Sequence, residues 1–89
     1  MDERNIEIIN KLGLHARAAA KFVKLATSFE CEIQLKRENK TINGKSIMGV
    51  MMLAASKGTK VTLLVEGKDE RQVADQLEAM IADRFGEAE

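Results

Sequence analysis

Cys31-Glu32-Ile33-Gln34-Leu35-Lys36 decides the fold, because apolar and polar residues alternate along it without a break. A period of two marks a strand with one dry face and one wet face. A wet face is incompatible with a sheet covered on both sides, so the helices must gather on the other. Upstream, Asn5-Ile6-Glu7-Ile8 repeats the pattern, with Ile9 closing it. Downstream, Val61, Leu63 and Val65 alternate with Lys60, Thr62, Leu64 and Glu66. Arg37-Glu38-Asn39-Lys40 reads as a hairpin turn leading into a short strand at Thr41 to Asn43.

Between these strands the period lengthens. Ala19, Phe22, Val23 and Ala26 fall at helical spacing, which predicts a helix from Ala16 to Thr27 with Lys21 and Lys24 in solvent. Gly44 precedes Ser46, a favoured N-cap, and a short helix is expected to run to about Leu53. Lys57-Gly58 ends that region. Asp69 and Gln72 have capping-box spacing for a last helix, Glu70 to about Phe85, whose core stripe is Val73, Leu77, Met80 and Ile81. The acidic end, Gly86-Glu87-Ala88-Glu89, is expected to fray. The order is βαββαβα, read as one domain over residues 1–89.

Composition narrows the function. Lysine plus arginine and aspartate plus glutamate number 14 each, for a net charge of zero, so the basic excess of a nucleic-acid binder is missing. No apolar run reaches the length of a membrane span, and Met1-Asp2-Glu3-Arg4 does not open a signal peptide. The single cysteine, Cys31, cannot form an internal disulfide and fits a reducing cytoplasm. Its place on the apolar side of a strand makes it a buried structural thiol. A ferredoxin-like RNA platform would present aromatics on its strands. Here Phe22, Phe29 and Phe85 all fall on helices or at a helix end.

The chemistry concentrates in Gly13-Leu14-His15-Ala16-Arg17-Ala18-Ala19-Ala20. The only histidine sits where a glycine-containing loop turns into an alanine-rich helix. A helix origin leaves N–H groups unpaired and carries partial positive charge, so it attracts anions. Neutral imidazole is a nucleophile, and a phosphoryl group placed on it would meet those N–H groups. Arg17 lies in the first helical turn, the unfavourable end for a structural cation, which points to an anion arriving there. No Asp or Glu lies between Asn10 and Arg17 to complete a hydrolytic triad or a zinc site, and no cofactor or metal is called for. Gly44-Lys45-Ser46 is not a nucleotide-binding loop, since Asn39 stands where that motif needs glycine. Ile47, Met48, Val50, Met51, Met52 and Leu53 are too many apolar residues for one short helix to bury. Val50 and Leu53 are expected in the core, leaving Ile47, Met48 and Met51 as an adaptable docking patch.

Gly13-Leu14-His15-Ala16-Arg17 resembles the active-site signature of the HPr family, the phosphocarriers of the sugar phosphotransferase system. Asn43-Gly44-Lys45-Ser46-Ile47-Met48-Gly49-Val50-Met51 is similar to that family's regulatory-serine region. Ala18 departs from the pattern, which usually has proline there. The resemblance implies an α+β open-faced β-sandwich, a four-stranded antiparallel sheet with three helices on one face. It implies that His15 accepts a phosphoryl group from phospho-enzyme I on Nδ1 and passes it to an enzyme II A-type domain. Arg17 and the N–H groups of Ala16 and Arg17 would steady the group. It further implies phosphorylation of Ser46 by a dedicated HPr kinase. Such a protein is a shuttled monomeric substrate rather than a turnover enzyme. The alternative is a regulatory interaction protein controlled at Ser46 and carrying no sugar flux.

Overall fold

The computed structural model describes residues 1–89. Its elements are β1 (Asp2–Glu7), α1 (Ala16–Thr27), β2 (Glu32–Arg37), β3 (Lys40–Asn43), α2 (Ile47–Met52), β4 (Lys60–Glu66) and α3 (Glu70–Ala82), then a single 3-10 turn at Arg84–Gly86. The four strands form one antiparallel sheet in the order β1-β4-β2-β3. Three helices cover one face, giving the α+β open-faced sandwich expected from the alternating strands.

Register explains which residues enter the core. Ile6 faces Val61, and Leu35 lies opposite both Leu63 on one side and Ile42 on the other. These join Ile33, Val65 and the helix residues Ala19, Phe22, Val23, Ala26, Val73, Leu77 and Ile81 in one apolar cluster. Phe22 and Leu63 are fully buried, each worth about 2 kcal/mol against exposure. Val50 and Leu53 tie α2 to the same cluster, and Cys31 is buried with its thiol donating to the Lys68 carbonyl at 2.8 Å. Met80 packs at the cluster's margin, only partly buried.

The structure departs from the sequence reading at the start of β1 and at both ends of α3. β1 begins at Asp2 rather than Asn5. Asp2 and Arg4 hold inward positions, paired with Val65 and Leu63. Their charge is accommodated because Arg4 bonds Asp2 at 2.8 Å and Glu78 of α3 at 2.9 Å, with Asp75 also in contact. The capping box at α3 does not form. Asp69 adopts a left-handed conformation (φ 59°) and its side chain caps nothing, while the Glu70 carboxylate accepts from the Gly67 N–H at 3.2 Å. Finally, α3 stops at Ala82. Arg84 and Phe85 both take positive φ, which breaks the helix and drops the Phe85 ring into the core.

Candidate functional site

The loop before α1 is shaped from beneath by Asn10. This fully buried amide donates from Nδ2 to the Gly13 carbonyl at 2.8 Å, and the Gly13 N–H returns a bond to the Asn10 carbonyl at 3.1 Å. Gly13 has φ +66°, and a Cβ there would lie 2.5 Å from the Ala55 carbonyl oxygen. Only glycine satisfies both the conformation and the space. Leu14 is buried, its N–H bonded to the same Ala55 carbonyl at 2.9 Å. The next residue is therefore delivered to a fixed place.

That residue is His15, the N-cap of α1, with extended backbone and a side chain that makes no capping bond. Its carbonyl accepts the Ala19 N–H at 2.8 Å, but the N–H groups of Ala16, Arg17 and Ala18 have no protein acceptor. The first turn contains no acidic side chain to neutralise them. Arg17 is exposed and forms neither hydrogen bond nor ion pair within the chain. The imidazole is half-buried, 27% exposed. A nucleophilic ring, unpaired helix-start donors and an uncommitted guanidinium thus share one end of α1, an arrangement suited to an anion.

The acidic end turns back onto the body of the protein instead of standing free. Phe85 anchors it in the core, Lys21 Nζ donates to the Phe85 carbonyl at 2.8 Å, and the Lys11 N–H donates to the Glu89 carbonyl at 2.5 Å. This return brings Glu87 onto the ring: His15 Nε2 contacts Glu87 Oε2, while Oε1 accepts from Asn10 Nδ2 at 2.9 Å. The sequence stretch from Asn10 to Arg17 has no carboxylate, and the fold supplies one from 72 residues away. Two hydrogen bonds, the larger contribution from Asn10 and the next from His15, hold the Glu87 carboxyl below its ordinary value. Lys11, His15, Arg17, Lys21, Glu87 and Glu89 line one open cleft.

α2 forms a second cluster. Ser46 caps it, its Oγ accepting from the Gly49 N–H at 3.0 Å. At the other end, Arg37 donates to the Leu53 and Ala54 carbonyls at 2.8 and 2.9 Å, and Lys40 to the Met52 carbonyl at 3.0 Å. Ile47, Met48 and Met51 are exposed at 44%, 70% and 40%, and Met52 joins them at 60%. α2 packs beside α1.

Comparison with known proteins fits this geometry. Residues 2–83 match the family model described as the PTS HPr component phosphorylation site. The chain belongs to the HPr family. It is 53% identical to the phosphocarrier protein HPr of Cupriavidus necator over 89 residues, all of both chains. A crystal structure of HPr-C-His from Thermoanaerobacter tengcongensis superposes with TM-score 0.95 at 47% identity over the whole of both chains. An HPr dimer from the same organism gives 0.78 at 48% identity, covering 98% of this chain and all of that one. As a member of the HPr family the chain is a phosphocarrier of the phosphotransferase system, and its partners belong to that system. No helix in it is long and apolar enough to cross a membrane.

Sequence reasoning missed Glu87, Lys11 and Lys21 as neighbours of His15. Lys21 reads as an ordinary solvated lysine on α1. Glu87 has no local signal, because its approach depends on the two left-handed residues, Arg84 and Phe85, that turn the chain back. The exposure of Met52 is not readable from the sequence, because a run of apolar residues does not reveal its own inner face.

Proposed function

We propose that His15 is the phosphoryl acceptor and donor of this phosphocarrier. It takes the group from phospho-enzyme I and passes it to an enzyme II A-type domain. The observation that supports this most strongly is the conjunction at the start of α1: a partly open imidazole, N–H groups at Ala16 and Arg17 with no internal acceptor, and the unpartnered Arg17 guanidinium. Transfer in line with the breaking bond needs access from outside, and a ring at the surface end of a helix allows it. The whole of residues 1–89 acts as one carrier domain, monomeric in the cytoplasm and exchanging partners through Ile47, Met48 and Met51. The dimer formed by the Thermoanaerobacter relative makes the monomer directly testable by sedimentation.

Ser46 is, in this reading, the regulatory phosphorylation site of an HPr kinase. A phosphate there adds about −1.5 to −2 charges at the start of α2, where the helix dipole tolerates it, beside the exposed methionines that would meet a partner. Incubation with phosphoenolpyruvate, carrying ³²P, and enzyme I tests the central assignment. The wild-type chain is expected to take up label and His15→Ala none; equal labelling of the two overturns it. The regulatory alternative predicts instead that His15→Ala leaves cellular sugar uptake normal while Ser46→Ala alters regulation.

A further inference from the structure

We propose that Glu87 is a positioning residue for His15, fixing which ring nitrogen carries the proton and which attacks. This inference rests on the carrier reading above and adds a group to its machinery.

An ionised carboxylate can only accept hydrogen bonds. Glu87 is held in that form at neutral pH, because its carboxyl lies below the ordinary carboxylate value and protonates only on acidification. The nitrogen facing it, Nε2, must therefore be the one that donates. A neutral imidazole with its proton on Nε2 keeps its lone pair on Nδ1. The carboxylate is not free to follow the ring. Its other oxygen is tied to buried Asn10, whose Nδ2 bridges Glu87 Oε1 and the Gly13 carbonyl, both acceptors. The side chain is itself only 16% exposed. One buried amide thus shapes the loop that carries His15 and orients the carboxylate that holds its ring.

The same contact serves both directions of transfer. On acceptance, the Nδ1 lone pair attacks phosphorus and the donor's P–N bond breaks, its electron pair returning to the donor nitrogen. The His15 ring then carries phosphorus on Nδ1 and hydrogen on Nε2, with a positive charge that the Glu87 carboxylate offsets. On donation, the new P–N bond breaks and its electron pair returns to Nδ1. A ring that has kept its Nε2 proton leaves as neutral imidazole, whereas one that has lost it would have to leave as an anion. The charged residues that line the cleft with the ring are Arg17 and Lys21 from α1, Lys11 from the loop, and Glu87 and Glu89 from the returning end. Of these, only Glu87 is hydrogen-bonded to the ring.

The test combines ring NMR with transfer kinetics on the full chain labelled with ¹⁵N-histidine. The wild type is expected to show the Nε2–H tautomer alone in the neutral ring. Glu87→Ala should shift the ring toward a mixture of tautomers and slow phosphoryl uptake from phospho-enzyme I about tenfold, the low end of what losing a partner that orients histidine costs. Glu87→Gln has one acceptor oxygen for two donors, Asn10 Nδ2 and His15 Nε2, so it should hold the tautomer only in part and fall between wild type and Glu87→Ala in rate. An unchanged tautomer and rate in Glu87→Ala overturns the proposal. Label on His15→Ala would overturn the carrier assignment instead, so the two failures are distinct.

Discussion

α1 and α2 start in opposite ways. At α2 the cap residue turns its own oxygen inward: Ser46 Oγ accepts the Gly49 N–H, and the start of that helix is partly satisfied within the chain. At α1 the cap residue is His15, which places no acceptor over the first turn, and Ala16, Arg17 and Ala18 keep their N–H groups unpaired. A helix origin is the same electrostatic object in both cases. The difference is whether the chain completes it or leaves it for a visitor. Leaving it open costs stability that a cap would supply, about 1 kcal/mol. The family to which the chain belongs carries phosphoryl groups, and in the function proposed above the incomplete helix start is where such a group would find donors.

The contrast breaks most sharply at Arg17. The exposed guanidinium forms no hydrogen bond or ion pair within the chain, so removing it should leave the fold intact. Arg17→Ala is expected to keep the wild-type melting temperature within error and to lower the rate of phosphoryl uptake from phospho-enzyme I by about a hundredfold, comparable to losing one preorganised donor to a developing anion. Stopped-flow transfer kinetics and a thermal melt on the same preparation check both halves. A lower melting temperature with an unchanged rate would return Arg17 to the role of a surface residue.

Ser46→Ala reverses the pattern at the other helix. It removes the acceptor for the Gly49 N–H, and a loss of about 1 kcal/mol is expected. In a domain of this size that lowers the melting temperature by roughly 4–8 °C. Ser46→Ala should accept phosphoryl groups at the rate of wild type unphosphorylated at Ser46, because the cap of α2 takes no part in the chemistry proposed at α1. A rate change larger than about threefold would mean that the two helix starts are coupled through the α1–α2 packing.

Much of this was legible in the sequence, for identifiable reasons. Ile33 and Leu35 alternate with polar neighbours because the sheet has a single covered face, and α1 displays its stripe because Phe22 and Val23 pack at helical spacing. Local pattern fails where long-range pairing decides. Arg4 holds an inward strand position only because Asp75 and Glu78 on α3 and neighbouring Asp2 receive it. Asp69 has capping-box spacing, yet the turn from β4 places it in a left-handed conformation where its side chain caps nothing. For the site, His15 and Arg17 were visible because their chemistry is local to one helix start. Glu87 was invisible because nothing near it in sequence records the turn at Arg84 and Phe85.

The finest distinction concerns which donors at α1 matter, and Ala18→Pro resolves it. Ala18 is fully buried and its N–H has no protein acceptor. Proline therefore removes no internal hydrogen bond. It is usual at this position in the family that the chain resembles by sequence. Where the backbone already suits it, proline stabilises by restricting the unfolded chain, by about 0.5 kcal/mol here; the added ring must still fit a closed site, which keeps the gain small. Ala18→Pro is thus expected to raise the melting temperature by roughly 2–4 °C and to leave phosphoryl uptake within about twofold of wild type. That result would confine the anion contact to the N–H groups of Ala16 and Arg17, since proline has none to offer. A tenfold slower uptake, about 1.4 kcal/mol at the transition state, would instead place the Ala18 N–H among the donors, and this chain's alanine would then supply a contact that proline cannot.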